Sequence, residues 1–138
     1  MPDAASPTFK LSNPVGLYDP RPNGYSHVAA LAPNNRLLFI AGQGGEDCNG
    51  HLSSDFSDQA RQALANLGTA LHSQGAGLVQ VFKLTLLIVD HDEKRLRQWA
   101  KEAREAWAEE NLPVCTLIPV PRLALDGMLI EIDAVAAC

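Results

Sequence analysis

The sequence predicts an α+β fold in which a single mixed β-sheet carries two helices packed on one face. Two segments have apolar residues at the spacing of an amphipathic helix, and strand-like segments flank each of them. The two apolar stripes share the offsets 0, 3, 4, 7 and 11, and the second begins 36 residues after the first: Ala60, Ala63, Leu64, Leu67 and Leu71, then Leu96, Trp99, Ala100, Ala103 and Trp107. This repetition indicates two similar βαβ-type halves that share one sheet, with both helices on the same side.

The first strands are expected after a proline-rich arm. Residues 1–22 hold five of the nine prolines, so we assign them to an N-terminal arm with one short strand at Phe9–Leu11. Residues 23–138 form the predicted folded domain. The apolar segments Tyr25–Leu31 and Arg36–Ala41 are joined by turn-forming residues, which predicts a β-hairpin.

The first helix is expected between two glycine-containing segments. Gly42–Gly50 contains four glycines and predicts a loop. Ser54 or Asp55 is expected to cap the helix, because a side-chain oxygen there meets the free N–H groups of the first turn. Gly75 and Gly77 are expected to end it.

A strand and the second helix come next. The strand Phe82–Val89 alternates so that Phe82, Leu84, Leu86 and Ile88 share one face. The second helix is expected to begin at Asp90 or Asp92, one of which caps it, and to run to about Asn111. Both tryptophans lie on its apolar stripe and are assigned to the core.

Two further strands, Val114–Val120 and Met128–Ala137, complete the predicted sheet. The sheet face without helices is expected to carry Leu87, Val89, Leu117 and Leu129. These side chains are too apolar for a water-exposed surface, so we expect this face to be buried against other subunits.

Composition and charge argue against a nucleic-acid-binding protein, a membrane protein and a secreted disulfide-bonded protein. The net charge of −5 and the pI of about 5.2 give no electrostatic help in binding a nucleic acid backbone. No apolar run approaches the ~18 residues of a membrane span, and the first residues lack the features of a signal peptide. The three cysteines form no Cys-x-x-Cys pair, which favours reduced thiols and a cytoplasmic location.

Five motifs in this order resemble the Rid family of small imine and enamine deaminases, also called YjgF/RidA-like or endoribonuclease L-PSP-like. They are GYS at Gly24–Ser26, AGQ at Ala41–Gln43, QARQALANL at Gln59–Leu67, LPVCTLIPVPR at Leu112–Arg122 and LIEIDAVA at Leu129–Ala136. The resemblance implies a chorismate-mutase-like fold and a homotrimer whose sheets form a barrel core. It also implies active clefts between adjacent subunits.

The resemblance implies a set of site residues. Glu131 is implied as the catalytic residue that orients the hydrolytic water. The implied ligand-binding residues are Tyr25, Gly42, Gln43, Asp92, Cys115 and Thr116. The four histidines show no metal-ligand spacing, and the sequence predicts no metal and no cofactor.

One implied residue is missing. The family's deaminases carry an arginine that binds the substrate carboxylate, two residues after the proline that precedes the strand Val114–Val120. Counted from Pro113, that position here is Cys115. A thiol cannot replace a bidentate guanidinium. Arg122 is the nearest candidate replacement, and its alternative role is a structural arginine beside Asp126. Cys115 is either a nucleophile or a small apolar filler on the strand.

The carboxylates leave further alternatives open. Glu131 and Asp133 share one face of the last strand, so they could act as an acid–base pair. Alternatively, one binds backbone or a ligand and the other pairs with a lysine or arginine of a neighbouring subunit. If Glu131 and Asp92 both face the cleft, they make it acidic, which favours a neutral or cationic ligand.

The predicted function is a divergent RidA-like protein whose intersubunit clefts bind a small metabolite. Hydrolysis of a reactive imine or enamine other than the usual 2-imino acids is the first hypothesis. A non-catalytic ligand-binding or regulatory trimer is the alternative, and a ribonuclease is the least favoured. No nucleic acid partner and no membrane association are predicted.

Overall fold

The computed structural model describes residues 8–138. The first seven residues of the predicted N-terminal arm therefore lie outside the described part. Six strands and two helices follow in the order β1 (Phe9–Ser12), β2 (Val28–Leu31), β3 (Leu37–Gln43), α1 (Phe56–His72), β4 (Val81–Val89), α2 (Glu93–Ala106), β5 (Val114–Val120) and β6 (Ile130–Ala137). No helix of residues 8–138 is both long and apolar enough to cross a membrane.

The main sheet has four strands in the order β3-β6-β4-β5. Strands β4 and β5 run parallel, whereas β6 is antiparallel to both of its neighbours. Both helices pack on one face, and the core between them is formed by buried residues such as Leu67, Trp99, Leu84 and Ile132. The predicted α+β fold, a mixed sheet with two helices on one face, is therefore confirmed.

The predicted hairpin of the two strands before the first helix is wrong. β2 pairs with β1 in a separate two-stranded ribbon, and β3 pairs with β6 in the main sheet. The turn residues around Asn34, whose φ is +64°, do reverse the chain. However, the partners of both strands come from distant parts of the sequence, and local turn chemistry does not reveal them.

Helix α1 begins and buries its stripe as predicted. The Asp55 side chain accepts a hydrogen bond from the Asp58 backbone N–H at 2.9 Å, which caps the first turn. All five residues of the predicted stripe are buried. Gln59 is also fully buried, and its amide donates to the carbonyls of Ser53 and Gly127 and accepts from Leu129 N–H. This side chain ties α1 to the start of β6.

Helix α2 ends earlier than predicted. Asp92 caps it by accepting a hydrogen bond from Arg95 N–H at 2.8 Å, and the last helical residue is Ala106 rather than Asn111. Trp107 is extended, with a φ of −124°, and its indole N–H donates to the Leu78 carbonyl at 2.8 Å. The assignment of both tryptophans to the core is confirmed.

Two predicted side-chain orientations in the sheet are corrected. The register of β4 and β6 shifts between Val81 and Lys83, so Val81 is buried and Phe82 leaves the helix-facing row. In β5, Leu117 pairs with Leu86 and therefore faces the helices, not the uncovered face. The uncovered face instead carries exposed apolar residues on its edge strands, including Phe39, whose residue surface is 75% exposed.

Candidate functional site

A cavity of about 390 Å³ lies where the outer strand β5 meets the N-terminal half of α2. The segment before β2 closes its third side. The lining residues are Tyr18, Asn23, Tyr25, Leu86, His91, Leu96, Trp99, Cys115, Thr116 and Leu117. Three of the sequence-predicted ligand residues, Tyr25, Cys115 and Thr116, are therefore brought together in one concave site.

Gly24, the residue before Tyr25, packs closely against α2 and so positions Tyr25 in the cavity. Gly24 has a φ of +82°, and a Cβ there would lie only 3.0 Å from the Cα of Ala100. A side chain at this position would therefore meet both backbone strain and a clash. The next residue, Ser26, donates its N–H to the Pro113 carbonyl at 3.1 Å, which fixes the segment beside the start of β5.

Tyr25 belongs to an aromatic cluster at the mouth of the cavity. Its hydroxyl forms a hydrogen bond with the hydroxyl of Tyr18, and the rings of Tyr18, Tyr25 and His27 meet edge to face. Burial, followed by the hydrogen bond with Tyr18, raises the pKa of Tyr25 to about 12. Tyr25 is therefore a neutral phenol at physiological pH and offers one hydroxyl to a ligand.

Cys115 lies on the helix-facing side of the sheet. It pairs with Leu84 of β4, whose side chain is in the core, so the thiol points into the cavity and packs against apolar atoms. Burial raises the pKa of the thiol to about 12, and the nearby charge of Lys83 opposes this rise only in part. The thiol stays protonated near neutral pH, which favours the role of an apolar filler over that of a nucleophile.

His91 lies in the loop between β4 and α2. Asp90 takes a left-handed conformation with a φ of +50°, and Asp92 is held as the helix cap. His91, between these two residues, lines the cavity. Its Nδ1 is buried and has no hydrogen-bond partner among residues 8–138.

The remaining predicted residues lie elsewhere in the single chain. Asp92 lines a small surface pocket with Asp55 and Arg95. The Gln43 amide donates to the Ala41 carbonyl at 3.0 Å, at the end of β3. Arg122 donates to the Leu123 carbonyl and to the Asp126 carboxylate, so it has the structural role and does not line the cavity.

Glu131 and Gly42 are brought together on the opposite face of the sheet. With Asp133, they line a pocket of about 80 Å³ between β3, β4 and β6. A Cβ added at Gly42 would lie 2.6 Å from the carboxyl carbon of Glu131, so only glycine leaves room for this carboxylate. Within one chain, Glu131 and Cys115 therefore do not share a cleft, because they project from opposite faces.

The charge of the cavity follows from these positions. Among residues 8–138, no Asp, Glu, Lys or Arg lines it. The acidic cleft that Glu131 and Asp92 would create is thus not formed by the residues of one subunit. The sequence analysis did not place Tyr18, Asn23 or His91 in the site. It assigned Trp99 to the core but not to the cavity wall. The Asp-His-Asp sequence at 90–92 was the one available signal for His91.

Comparison with known proteins places this geometry in a family. A family model described as Endoribonuclease L-PSP matches residues 19–138. The human protein named 2-iminobutanoate/2-iminopropanoate deaminase is 33% identical over 104 residues, covering 74% of this chain and 73% of the relative.

Solved structures agree with this match. The Rid-family protein YyfB from Yersinia pestis, described as a protein of unknown function, has a TM-score of 0.89 at 32% identity, covering 95% of this chain and 99% of that one. A Mycobacterium tuberculosis member of the YjgF/YER057c/UK114 family has a TM-score of 0.64 at 26% identity, covering 94% and 99%. The chain therefore belongs to the Endoribonuclease L-PSP family, which is also called the Rid or YjgF/RidA family.

Proposed function

We propose that this chain forms a homotrimeric Rid protein in the cytoplasm whose intersubunit clefts bind a small metabolite without a carboxylate. The observation that carries the proposal is Cys115, a neutral thiol in the cavity wall at the position where the family's deaminases carry their arginine. Without a guanidinium, the cavity has no group that pairs with the carboxylate of a 2-imino acid.

The trimer is supported by the face of the sheet that no helix covers. Phe39 and Leu37 on β3 and Ile118 on β5 are exposed there, to 75%, 43% and 43%. Such apolar side chains are normally covered by another protein surface. We further propose that the trimer places the Glu131 of a neighbouring subunit beside the outer strand β5, at the open side of the cavity, and so supplies the carboxylate that the cavity lacks within one chain.

The reaction we propose is hydrolysis of an imine or enamine. Water adds its oxygen to the imine carbon while the Glu131 carboxylate accepts one of its protons. Glu131 returns this proton to the nitrogen, which gives the neutral carbinolamine, and then transfers the proton of the carbinolamine hydroxyl to the same nitrogen. The C–N bond breaks, and a carbonyl compound and ammonia leave, so one water is consumed. The human relative, whose name specifies imino-acid deamination, supports this reaction class.

A non-catalytic ligand-binding trimer is the second candidate, and one observation favours it. Two of the titratable groups that line the cavity, Tyr25 and Cys115, have pKa values raised to about 12. Neither of these two groups acts as a base near neutral pH, so catalysis needs a base other than the phenol of Tyr25 and the thiol of Cys115.

Two measurements test the proposal. Light scattering at micromolar concentration is expected to give three times the mass of one chain, and a monomer mass would remove the intersubunit site. Turnover of uncharged imines, generated in place by an amine oxidase acting on isobutylamine, is expected to exceed the spontaneous rate and to fall about 100-fold or more in Glu131→Gln. Glu93→Gln, whose side chain is 91% exposed on α2, is the matched control. A trimer without turnover would favour the ligand-binding candidate.

A further inference from the structure

We propose that a groove between α2 and the segment before β2 binds a small organic phosphate that carries at least two anionic groups. Arg97, Lys101 and Arg104 of α2 line this groove and supply the cations that hold the ligand. Among residues 8–138, the groove shares no lining residue with the cavity described above. The proposal therefore adds a second site and does not rest on the proposed function.

The groove owes its concave shape to a close approach of two backbones. Gly24 packs against α2 so tightly that a Cβ there would lie 3.0 Å from the Cα of Ala100. Pro22 precedes this contact, and the groove opens beside it with a volume of about 420 Å³. Its lining residues are Pro22, Arg97, Ala100, Lys101, Arg104 and Glu105. Ala100 is buried whereas the basic residues are exposed, so a short side chain forms the base and long cationic side chains form the rim.

The charge of α2 is opposite to that of the whole chain. The helix carries five of the 11 basic residues but only three of the 16 acidic ones, so its net charge is +2 in a chain of −5. One of the three acids, Glu102, is buried and pairs with Arg61 of α1 at 3.2 Å. A ligand anion that is repelled by most of this acidic protein is therefore attracted to the outer face of α2.

The three cations of the groove lie on one face of the helix. Arg97, Lys101 and Arg104 are separated by four and then three residues, which places neighbouring side chains one above the other within about 10 Å of helix axis.

Ion pairs within the chain leave much of this charge available. Among residues 8–138, Lys101 forms no ion pair. Arg97 reaches Glu93 only at 4.0 Å, between side chains that are 71% and 91% exposed. Arg104 pairs with Glu109 at 3.0 Å, and Glu105 is the acidic residue among those that line the groove. The lining therefore keeps an excess of positive charge.

The arrangement of the cations favours a ligand with several phosphate oxygens. A guanidinium donates two parallel hydrogen bonds to a phosphate group, and a lysine ammonium adds a mobile point charge. One exposed contact of this kind contributes little, so a single anionic group is held weakly. A ligand with two anionic groups contacts all three cations at once. The volume also matches a small molecule, and Pro22 and Ala100 offer apolar surface to its organic part.

Isothermal titration calorimetry of the whole protein tests the ligand class. The probes are ADP, inorganic sulfate and a hexaglutamate peptide, at pH 7.5 without added magnesium and at low ionic strength, where exposed charges are little screened. We expect ADP to bind with a dissociation constant of about 0.1 mM and about tenfold or more tightly than sulfate. ADP that binds no more tightly than sulfate would overturn the proposal. Hexaglutamate that binds more tightly than ADP would identify an acidic protein segment as the occupant and would likewise overturn it.

Variants of α2 test the location. Lys101→Gln is expected to weaken ADP binding about tenfold, because the central cation of the three is lost. Lys94→Gln is the matched control, since it removes the same charge from the same helix at an exposed residue that lines a different pocket. It is expected to change the affinity less than twofold. Equal affinities of the two variants would show that ADP responds to the general charge of α2 or binds elsewhere, and would overturn the assignment to this groove.

Discussion

Replacing Cys115 with arginine is expected to give the cavity the carboxylate affinity that it lacks. Cys115 pairs with Leu84 and lines the cavity, so a longer side chain at this position projects towards Tyr25 and His91. We expect Cys115→Arg to bind pyruvate and 2-oxobutanoate measurably, whereas the parent binds them weakly or not at all.

The magnitude follows from the strength of the new ion pair and the cost of burying it. A hydrogen-bonded guanidinium–carboxylate pair in a partly buried pocket is worth about 2–5 kcal/mol, or roughly 30- to several-thousand-fold in affinity. Part of this gain is lost, because burying the guanidinium of the free variant against apolar walls costs desolvation energy. We therefore expect a net gain of about 10- to 100-fold, at the lower end of that range.

Calorimetry of both oxo acids against the parent and the variant measures this gain, with light scattering to check the trimer. Cys48→Arg, at an exposed cysteine, is the matched control. If Val114 and Leu117 leave no room and the trimer is lost, Cys115→Lys places a cation there on a slimmer side chain. A trimeric Arg or Lys variant that binds no better than the parent would refute the assignment of Cys115 to the ligand cavity.

The structure supports three further predictions. Gly42→Ala is expected to reduce imine hydrolysis strongly while leaving the trimer intact, because a Cβ there displaces the Glu131 carboxylate; unchanged turnover would remove Glu131 from the reaction. A disulfide reagent at pH 8 is expected to modify the exposed Cys48 and Cys138 rapidly and Cys115 only slowly. The reason is that the Cys115 thiolate forms only as the pH approaches about 12. Rapid reaction of all three thiols would contradict the raised pKa. Gln59→Leu is expected to lower the free energy of unfolding in urea by about 1–3 kcal/mol, because it removes a fully buried side chain that bonds the Ser53 and Gly127 carbonyls and the Leu129 N–H; a loss below the error of the measurement would contradict that role.

The helices and the class of fold were predictable because their signals are local. The two apolar stripes and the capping aspartates Asp55 and Asp92 lie within a few residues of the turns that they stabilise. The pairing of β2 with β1 was not predictable, because a turn shows that the chain reverses but not which strand lies beside it. Likewise, the face of Leu117 depends on the register between β4 and β5, which alternation within one strand does not fix.

Only the site residues that belong to a family motif were predictable from the sequence. The family motifs pointed to Tyr25, Cys115 and Thr116, and these residues do line one cavity. His91 was missed because its position in the cavity wall depends on the path of the loop between β4 and α2, which only a three-dimensional structure reveals. The separation of Glu131 from Cys115 was missed for a similar reason, since sequence spacing does not show which sheet face two distant strands present.

The central claim is that a neutral thiol at residue 115 removes the preference for carboxylate-bearing substrates. The most direct test is the ratio of kcat/KM for 2-iminobutanoate to that for the uncharged imine derived from isobutylamine, measured in the parent and in Cys115→Arg. The account predicts a ratio well below one in the parent and a rise of at least tenfold in the variant. A parent protein that hydrolyses 2-iminobutanoate in preference to the uncharged imine would contradict it.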